Sequence, residues 1–258
     1  MTDIRHSLIE KRGAVLTVIL NRPEVMNALH PEAHAELASI FDDFARDDDL
    51  RLAVITGSGD RAFCTGSDLK VRAETGADDM PTSGFAGLTE RFDLTKPVIA
   101  AVNGHAIGGG LEVLLACDLV IAVEDAKFGL PEPKVGLAAS GGLHRLARQI
   151  PLKQAMEIAL TGRLFSSEEA ITYGLINSVV PRSKLAAETK LWTNRLLENA
   201  PLSLRATKQM MLKGLDAPTV AAAFTTRYPE YEAMLKSIDA KEGPRAFSEK
   251  RKPQWLGK

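Results

Sequence analysis

The chain has 258 residues, of which 45% are hydrophobic and 25% are charged, and its formal net charge is −1. This composition is typical of a globular protein with one large or two small domains, and the length is sufficient to bury a core. The nearly neutral charge argues against nucleic acid or an anionic membrane surface as a partner. Two cysteines are too few for a disulfide framework, and they lack metal-ligand spacing. No apolar run reaches the length of a membrane span and the polar N-terminus shows no targeting peptide, so we expect a cytoplasmic protein.

The first 150 residues alternate β-branched runs with helical patterns. Strands are predicted at residues 14–20, 50–56, 97–102 and 118–123. A helix is predicted from Pro31 to Asp47, because Pro31 suits the first helical position and apolar residues recur on one face. This alternation predicts an α/β fold with largely parallel strands that are buried on both faces. Residues 71–95 have little periodicity, which predicts a mobile loop leading into a helix.

From about residue 151 onward, helical patterns dominate the sequence. One strand is predicted at residues 176–180, and Ser166 and Glu169 are spaced as a capping box. The α/β pattern of the first 150 residues and the helical pattern of the rest predict a core followed by a helical region, which packs on the core or on a partner subunit. The predicted helices of this part are 152–160, 166–173, 183–198, 202–214 and 218–236.

A possible dinucleotide-binding fingerprint follows the predicted strand at residues 50–56. Gly57, Gly59 and Ala62 have the spacing G-x-G-x-x-A. That fingerprint has to open a helix that returns to a second parallel strand, and an acidic residue has to end that strand. Here Gly66 interrupts any such helix, and no suitable strand is predicted. The sequence therefore argues against NAD or FAD as a ligand.

Two further residue pairs have a plainer interpretation than catalysis. His30 and His34 are four residues apart, but no glutamate stands where a zinc protease requires it, so we expect a helix start with solvated imidazoles. Ser140 and His144 could be a nucleophile and its base, but the nucleophile-elbow motif is absent. Neither pair predicts a metal site or a serine hydrolase.

Three consecutive glycines, Gly108 to Gly110, stand directly before an apolar helical run. Each glycine destabilises a regular element by roughly 0.5–1 kcal/mol relative to alanine, so the repeat needs a physical reason. One possible reason is close backbone packing. The other is an oxyanion hole, to which the turn at residues 63–70 and the helix N-terminus could each contribute one N–H group. The glycines alone favour the two interpretations about equally.

Two carboxylates favour the catalytic interpretation. Glu112 falls in the first turn of the helix that follows the glycines. Glu132 stands between Pro131 and Pro133, which hold it in a rigid loop. One fixed carboxylate in each loop is what general acid–base chemistry beside a polarised carbonyl requires.

Two longer segments, KPVIAAVNGHAIGGGLEVLLACD and AKFGLPEPKVGL, resemble the enoyl-CoA hydratase/isomerase family, also called the crotonase superfamily. Further matches to that family lie at residues 21–29, 62–70, 159–181 and 242–255. The resemblance implies a crotonase-like spiral of ββα units over residues 1–198, which carries the active site. It also implies a C-terminal helical trimerisation region at residues 199–258, in a homo-oligomer that is a trimer or a dimer of trimers.

The resemblance implies that the substrate is an acyl-CoA thioester, so coenzyme A is part of the substrate and no separate cofactor or metal is expected. The thioester oxygen would accept hydrogen bonds from the backbone N–H groups of Ser67 and Gly109. Glu112 and Glu132 match the two catalytic glutamates of the family's hydratases. We therefore predict an enoyl-CoA hydratase of fatty acid metabolism, which adds water reversibly across the double bond of a 2-trans-enoyl-CoA to give a 3-hydroxyacyl-CoA.

The resemblance also implies a coenzyme A site, but it does not specify the chain length or the substituents of the acyl group. Residues 136–142 are one residue shorter than in the best-known hydratases and lack a proline, and Ser67 replaces a commoner alanine. Two alternatives share the fold: a carnitinyl-CoA dehydratase, which residues 242–255 also resemble, and an enoyl-CoA isomerase. The residues expected to contact coenzyme A are Val25, Met26, Thr65, Gly66, Asp68, Leu69 and Lys70, together with Phe247 and Lys250 of a neighbouring subunit.

Overall fold

The computed structural model describes residues 5–76 and 79–258. Expectations that concern the first four residues, or residues 77 and 78 of the predicted 71–95 loop, lie outside the described part. The chain divides into two compact units. The first contains the residues up to Phe92 together with Val98–Lys190, and the second contains Asp93–Pro97 together with Leu191–Lys258. No helix within the described ranges has the length and apolar character needed to cross a membrane.

Two β-sheets form the framework of the first unit. Its strands are β1 (Ser7–Arg12), β2 (Val15–Leu20), β3 (Leu52–Gly57), β4 (Ala62–Cys64), β5 (Val98–Val102), β6 (His105–Ile107), β7 (Leu119–Val123), β8 (Lys127–Gly129), β9 (Phe165–Ser166) and β10 (Ser178–Val180). The larger sheet has the order β1-β2-β3-β5-β7-β10, and the smaller has the order β4-β6-β8-β9. Neighbouring strands are parallel except in the pairs β1–β2 and β8–β9. All five residues of β5 are buried, as expected for a parallel strand covered on both faces.

Short helices follow or connect these strands. The longest in the first unit, α1, turns an apolar face with Leu37, Phe41 and Phe44 into the core. The helices that begin in this unit are α1 (Pro31–Arg46), α2 (Leu69–Thr75), α3 (Gly109–Ala116), α4 (Leu143–Gln149), α5 (Leu152–Thr161), α6 (Ser167–Thr172) and α7 (Leu185–Leu197).

The second unit is helical in its described residues. An ion pair of 2.8 Å joins Arg205 to Glu230. The C-terminal residues fold back on the last helix, because the buried carboxylate of Asp239 accepts the N–H groups of Leu256 and Gly257 at 2.8 and 2.9 Å. The helices of this unit are α8 (Pro201–Asp216), α9 (Val220–Thr225), α10 (Pro229–Lys236) and α11 (Asp239–Ser248).

The predicted α/β fold with parallel strands is confirmed, and the capping box of Ser166 and Glu169 is present. Two predictions of detail are wrong. The helix predicted at 218–236 is two helices, α9 and α10, because the residue before Pro229 has extended backbone and a new helix starts at the proline. In the 71–95 segment the helix, α2, comes first, and the only element among the described residues after it is the 3-10 turn Phe85–Gly87.

Candidate active site

The smaller sheet brings three loops of the first unit to one edge. Strands β4, β6 and β8 are adjacent and parallel, so their carboxyl ends lie side by side. Strand β4 leads into the turn of Ser67, β6 leads into Gly108 and helix α3, and β8 leads into the loop of Glu132. The carboxyl ends of parallel strands are where open α/β sheets bind their ligands. The topology therefore explains how segments far apart in sequence meet.

A cavity of about 340 Å³ opens at this edge, within the size range of pockets for small organic ligands. All of the residues predicted to take part in the chemistry line it: Ser67, Gly109, Glu112 and Glu132. So do three of the residues predicted to contact coenzyme A: Thr65, Gly66 and Leu69. Six more lining residues belong to segments that the sequence analysis singled out, which are the glycine run (Gly108) and residues 136–142 (Leu137, Ala138, Ala139, Ser140 and Gly141). The sequence did not identify the remaining lining residues, which are Arg72, Met80, Phe85, Thr89, Glu90, Pro131, Lys134 and Val135.

Two backbone N–H groups beside the cavity, those of Ser67 and Gly109, have no hydrogen-bond partner within the described ranges. Gly109 is the first residue of α3, where no intrahelical acceptor exists. The turn of Ser67 is held on both sides by Leu29, whose N–H donates to Gly66 at 2.9 Å and whose carbonyl accepts from Asp68 at 2.8 Å. A Cβ on Gly66 would lie 3.0 Å from the nitrogen of Gly109, so the two loops adjoin. Two free donors on adjoining loops are the arrangement that stabilises an oxyanion.

Each of the three consecutive glycines has a different close neighbour at the place where a side chain would start. The left-handed φ of 58° at Gly108 also favours glycine. Close packing therefore explains Gly109 and Gly110, and the left-handed backbone explains Gly108. The free N–H of Gly109 adds a second role at that position. An added Cβ would lie 2.9 Å from Oε1 of Glu132 at Gly108, 2.4 Å from the ring of Phe85 at Gly109, and 2.0 Å from the carbonyl oxygen of Cys64 at Gly110.

Glu112 lies in the first turn of α3, and only 6% of its surface is exposed. Burial, followed by the charge of Glu132, raises the pKa of Glu112 to about 7. The backbone N–H groups of Gly141 and Gly142 act in the opposite direction. Its Oε1 has no hydrogen-bond partner in the described part of the chain. A carboxyl group that titrates near neutrality and has a free oxygen can exchange a proton with a molecule in the cavity.

Glu132 faces the same cavity from the loop after β8. It begins a 3-10 turn, Glu132–Val135, directly after Pro131. Its backbone carbonyl accepts the N–H of Leu137 at 2.9 Å, which fixes the turn. Burial raises the pKa of Glu132, and its Oε2 is buried without a partner in the residues that the structure describes. Two carboxyl groups with perturbed pKa values in one cavity are typical of acid–base sites.

We expect Glu112→Gln to stabilise the fold at pH 8 and to do so much less at pH 5. In the unfolded chain this carboxyl group ionises near its ordinary pKa of 4.5, whereas the folded state keeps the proton up to about pH 7. The stability that comes from holding this proton is complete below pH 4.5 and is lost as the pH rises through 7. The buried charge then costs up to about 3 kcal/mol, which a neutral glutamine avoids.

Urea unfolding at both pH values measures this difference. Glu74→Gln is the matched control, because Glu74 is exposed on α2 and does not line the cavity. A change in unfolding free energy that is the same at pH 5 and pH 8 would show that ionisation of Glu112 does not strain the fold.

The turn that places Phe85 against Gly109 carries several constraints. Ala86 has a left-handed φ of 54°, which is uncommon for a residue other than glycine. Its N–H donates to Nδ1 of His34 at 3.1 Å, and the N–H of Phe85 donates to Oγ1 of Thr89 at 2.8 Å. The rings of Phe85 and His34 meet edge to face, with centroids 4.4 Å apart. The turn therefore fixes an aromatic ring beneath the start of α3.

The prediction that His30 and His34 are solvated is wrong. His34 is buried on α1, and burial followed by the charge of His30 lowers its pKa to about 4. His30 caps α1, because its Nδ1 accepts the N–H of Ala33 at 3.2 Å. Both imidazoles accept backbone N–H groups, which requires a neutral acceptor nitrogen. Their role is therefore structural.

Several residues predicted to contact coenzyme A do not line the cavity. Asp68 caps α2 and forms an ion pair of 3.0 Å with Arg22. Met26 accepts the hydroxyl of Thr65 at 3.3 Å through its carbonyl oxygen. Lys70 is exposed on α2. The structure thus gives Asp68 a clear structural role and leaves a contact with coenzyme A as a prediction for the others.

The remaining predicted contacts are Val25, Phe247 and Lys250. Val25 ends the 3-10 turn Pro23–Val25, next to Met26. Phe247 and Lys250 belong to the second unit, and 87% of the Phe247 surface is exposed. Their role in a neighbouring subunit's site stays a prediction.

Comparisons with known proteins cover nearly the whole chain. A sequence model described as enoyl-CoA hydratase/isomerase matches residues 10–258. The carnitinyl-CoA dehydratase of Proteus mirabilis is 41% identical over 255 residues, which are 96% of this chain and 97% of that protein. The crystal structure of an enoyl-CoA hydratase from Mycobacterium marinum has a TM-score of 0.91 at 37% identity, covering 98% of this chain and 99% of that one. An enoyl-CoA hydratase from Bacillus anthracis has a TM-score of 0.90 at 32% identity, covering 98% and 100%. The resemblance predicted from the sequence is confirmed: this chain is a member of the enoyl-CoA hydratase/isomerase family and has the crotonase fold.

Proposed function

We propose that the protein is an enoyl-CoA hydratase, which adds water reversibly across the double bond of a 2-trans-enoyl-CoA to give a 3-hydroxyacyl-CoA. The observation that carries the proposal is the pair of carboxyl groups, Glu112 and Glu132, on one cavity. Each has a raised pKa and one buried oxygen without a partner in the described residues. Hydration needs one proton removed from water and another delivered to carbon, so two such groups suit it. An isomerase needs only one, which carries a proton between two carbons.

The proposed reaction uses both parts of the site. The N–H groups of Ser67 and Gly109 bind the thioester oxygen and stabilise the negative charge that develops there. Glu112 accepts a proton from a water molecule as its oxygen adds to C3, and Glu132 gives a proton to C2. Dehydration follows the same steps in reverse. Coenzyme A arrives as part of the substrate, and we propose that no further cofactor or metal takes part.

Crotonyl-CoA tests this proposal directly. We expect the absorbance of its conjugated enoyl thioester to fall on addition of the enzyme, with 3-hydroxybutyryl-CoA as the product. Conversion of a 3-enoyl-CoA to a 2-enoyl-CoA without any hydration of crotonyl-CoA would contradict the proposal and indicate an isomerase.

A carnitinyl-CoA dehydratase is the second candidate function. It is favoured by the 41% identity to the Proteus mirabilis protein of that name. This reaction removes water from a 3-hydroxyacyl thioester, so Glu112 and Glu132 would serve it in the same roles. The two candidates differ in the substituent at C4 of the acyl group, which is a trimethylammonium group in carnitinyl-CoA. The acyl end of the cavity therefore distinguishes them.

We further propose a cytoplasmic homo-oligomer, a trimer or a dimer of trimers, that assembles through residues after about 200. The second unit exposes large apolar side chains on its helices, and such surfaces in globular proteins are typical of interfaces. In this assembly Phe247 and Lys250 would contact coenzyme A in a neighbouring subunit. The most exposed apolar side chains of α8 and α9 are Met211 at 67%, Leu215 at 69%, Val220 at 75% and Phe224 at 87%.

The double substitution Leu215→Asp with Phe224→Asp should lower the molar mass in solution toward that of one chain. Two charges placed on an apolar interface would lose their hydration without gaining partners. Size-exclusion chromatography with light scattering at micromolar concentration measures the mass. Leu8→Asp, at a 49% exposed position in β1 of the first unit, is the control and should not change it. A monomeric wild type would contradict the proposed assembly.

A further inference from the structure

A buried histidine on helix α1 holds the backbone of the turn that contains Phe85. His34 is 1% exposed, and its Nδ1 accepts the N–H of Ala86 at 3.1 Å. This N–H has no other acceptor within the described ranges. Ala86 is fully buried and has a left-handed φ of 54°. A buried N–H without an acceptor is unfavourable, so the bond to His34 stabilises a backbone conformation that alanine seldom adopts.

The same turn meets α1 at a second place. A Cβ on Gly87 would lie 2.6 Å from both the nitrogen and the Cα of Ala38, so the turn packs directly on the backbone of the helix. Ala38 comes four residues after His34 and therefore lies on the same face of α1. Within the turn, the N–H of Phe85 donates to Oγ1 of Thr89 at 2.8 Å. The turn is thus fixed to α1 and closed by a hydrogen bond of its own.

Phe85 connects this turn to the proposed oxyanion hole. Its ring packs edge to face on the imidazole of His34, with the centroids 4.4 Å apart. The tip of the same ring fills the place of a side chain on Gly109, because a Cβ there would lie within 2.7 Å of three ring carbons. One aromatic ring therefore separates His34 from the residue whose N–H is proposed to bind the thioester oxygen.

The start of α1 supports the other proposed donor as well. Leu29, just before the cap of this helix, exchanges backbone hydrogen bonds with the turn of Ser67. His34 and Ser67 also line one small pocket together with Leu29. Both N–H donors are therefore held from the same part of α1, Ser67 through the main chain of Leu29 and Gly109 through Phe85 and His34.

We propose that His34 is a positioning residue for the oxyanion hole: its Nδ1 holds the turn of Phe85, and the ring of Phe85 fixes the N–H of Gly109. Since Nδ1 accepts a hydrogen bond, the imidazole is neutral and has its proton on Nε2. Burial, followed by the charge of His30, lowers the pKa of His34 to about 4, which keeps this acceptor available at neutral pH. The inference rests on the proposed function, in which Gly109 binds the thioester oxygen.

Two substitutions of nearly the same shape separate the acceptor of His34 from its packing. Asparagine and leucine both lack the ring, and only asparagine has an acceptor near the place of Nδ1. His34→Leu should lower the kcat for crotonyl-CoA about 10- to 100-fold, because a small displacement of a catalytic group has an effect of this size. His34→Asn should recover most of the activity. KM should change much less than kcat, since the donor acts on charge that develops in the transition state.

The C=O stretch of bound butanoyl-CoA measures the oxyanion hole without any turnover. Hydrogen bonds to a carbonyl oxygen lower this frequency, and butanoyl-CoA has no double bond to hydrate. Infrared difference spectra between ordinary butanoyl-CoA and butanoyl-CoA with a heavy carbonyl carbon isolate the band. The frequency should be lower in the wild type and in His34→Asn than in His34→Leu, because only the first two keep the acceptor for Ala86.

Two further variants test the route through Phe85 and the effect of stability alone. In a Phe85→Ala background the turn no longer reaches Gly109, so adding His34→Leu should lower kcat by less than about twofold. Phe44→Leu changes a buried residue about 15 Å further along α1. It should lower the free energy of unfolding and leave kcat and the C=O frequency unchanged. Fully additive effects of His34→Leu and Phe85→Ala on kcat would contradict the route through Phe85.

Equal kcat values and equal C=O frequencies in folded His34→Leu and His34→Asn would overturn the inference. If His34→Leu does not fold, His34→Gln replaces it in the comparison, because its amide oxygen lies one bond beyond the place of Nδ1. Failure of the wild type to hydrate crotonyl-CoA, with the C=O frequencies shifted as expected, would contradict the proposed hydratase alone.

Discussion

Glu112→Gln and Glu132→Gln should each lower the kcat for hydration of crotonyl-CoA about 100- to 10,000-fold, the range that a general acid or base contributes. Glutamine keeps the shape of glutamate but can neither remove nor deliver the proton. Substrate binding should therefore change far less than turnover. Both carboxyl groups have an oxygen without a partner on the described part of the cavity wall, so neither substitution breaks a hydrogen bond through that oxygen. Stopped-flow absorbance and the binding of butanoyl-CoA separate the two effects.

The double variant identifies whether the two carboxyl groups act together. If they serve one water molecule and one carbon in a single step, the kcat of the double variant should be only slightly lower than that of the less active single variant. An isomerase would behave differently. Glu132→Gln would then abolish turnover of a 3-enoyl-CoA, while Glu112→Gln would reduce it only mildly. Near-normal hydration of crotonyl-CoA by Glu112→Gln would contradict the proposed mechanism.

Loss of the N–H group of Gly109 should reduce turnover about 100- to 1,000-fold, because one donor of an oxyanion hole contributes that much. Gly109→Pro alone is not a clean test. Any side chain at this position would lie 2.4 Å from the ring of Phe85, so the variant would change packing as well as remove the donor. Phe85→Ala removes the ring and makes room. In that background, Gly109→Pro and Gly109→Ala both add a Cβ, and only the proline lacks the N–H group.

The comparison is therefore between Phe85→Ala/Gly109→Pro and Phe85→Ala/Gly109→Ala. Proline is well suited to the first position of a helix, so α3 should form in both. Circular dichroism checks the fold, and kcat for crotonyl-CoA gives the effect of the donor. Equal kcat values for the two folded variants would remove the Gly109 N–H from the mechanism. Glu112→Gln measured alongside sets the scale for a variant that has lost the chemistry.

The parts of the site that follow a local signal could be predicted from the sequence. Glu112 stands in the first turn of an apolar helix, and Glu132 follows a proline after a β-branched region. These positions depend on neighbouring residues alone. The strands that bring the two loops together could not be predicted, because β4, β6 and β8 have three residues each. Three residues are too few to show the alternation of a strand.

Residues that depend on packing between distant segments also could not be predicted. Phe85 stands between Gly84 and Gly87, whose positive φ values of 75° and 67° mark a tight turn. The sequence contains this signal as G-F-A-G, but it does not show that the ring meets Gly109. His34 stands three residues before Leu37 and seven before Phe41, so its spacing puts it on the buried face of α1, but only the fold places it against Ala86.

The three glycines at the start of α3 restrict the order in which substitutions can accumulate during evolution. A side chain at position 109 would meet the ring of Phe85, so the fold can accommodate it once Phe85 has been replaced by a smaller residue. A side chain at position 110 would meet the carbonyl oxygen of Cys64, and no substitution at position 64 removes this main-chain atom. Position 110 should therefore reject every replacement in a saturation mutagenesis experiment that selects for folded protein, whereas position 109 should become permissive after Phe85→Ala.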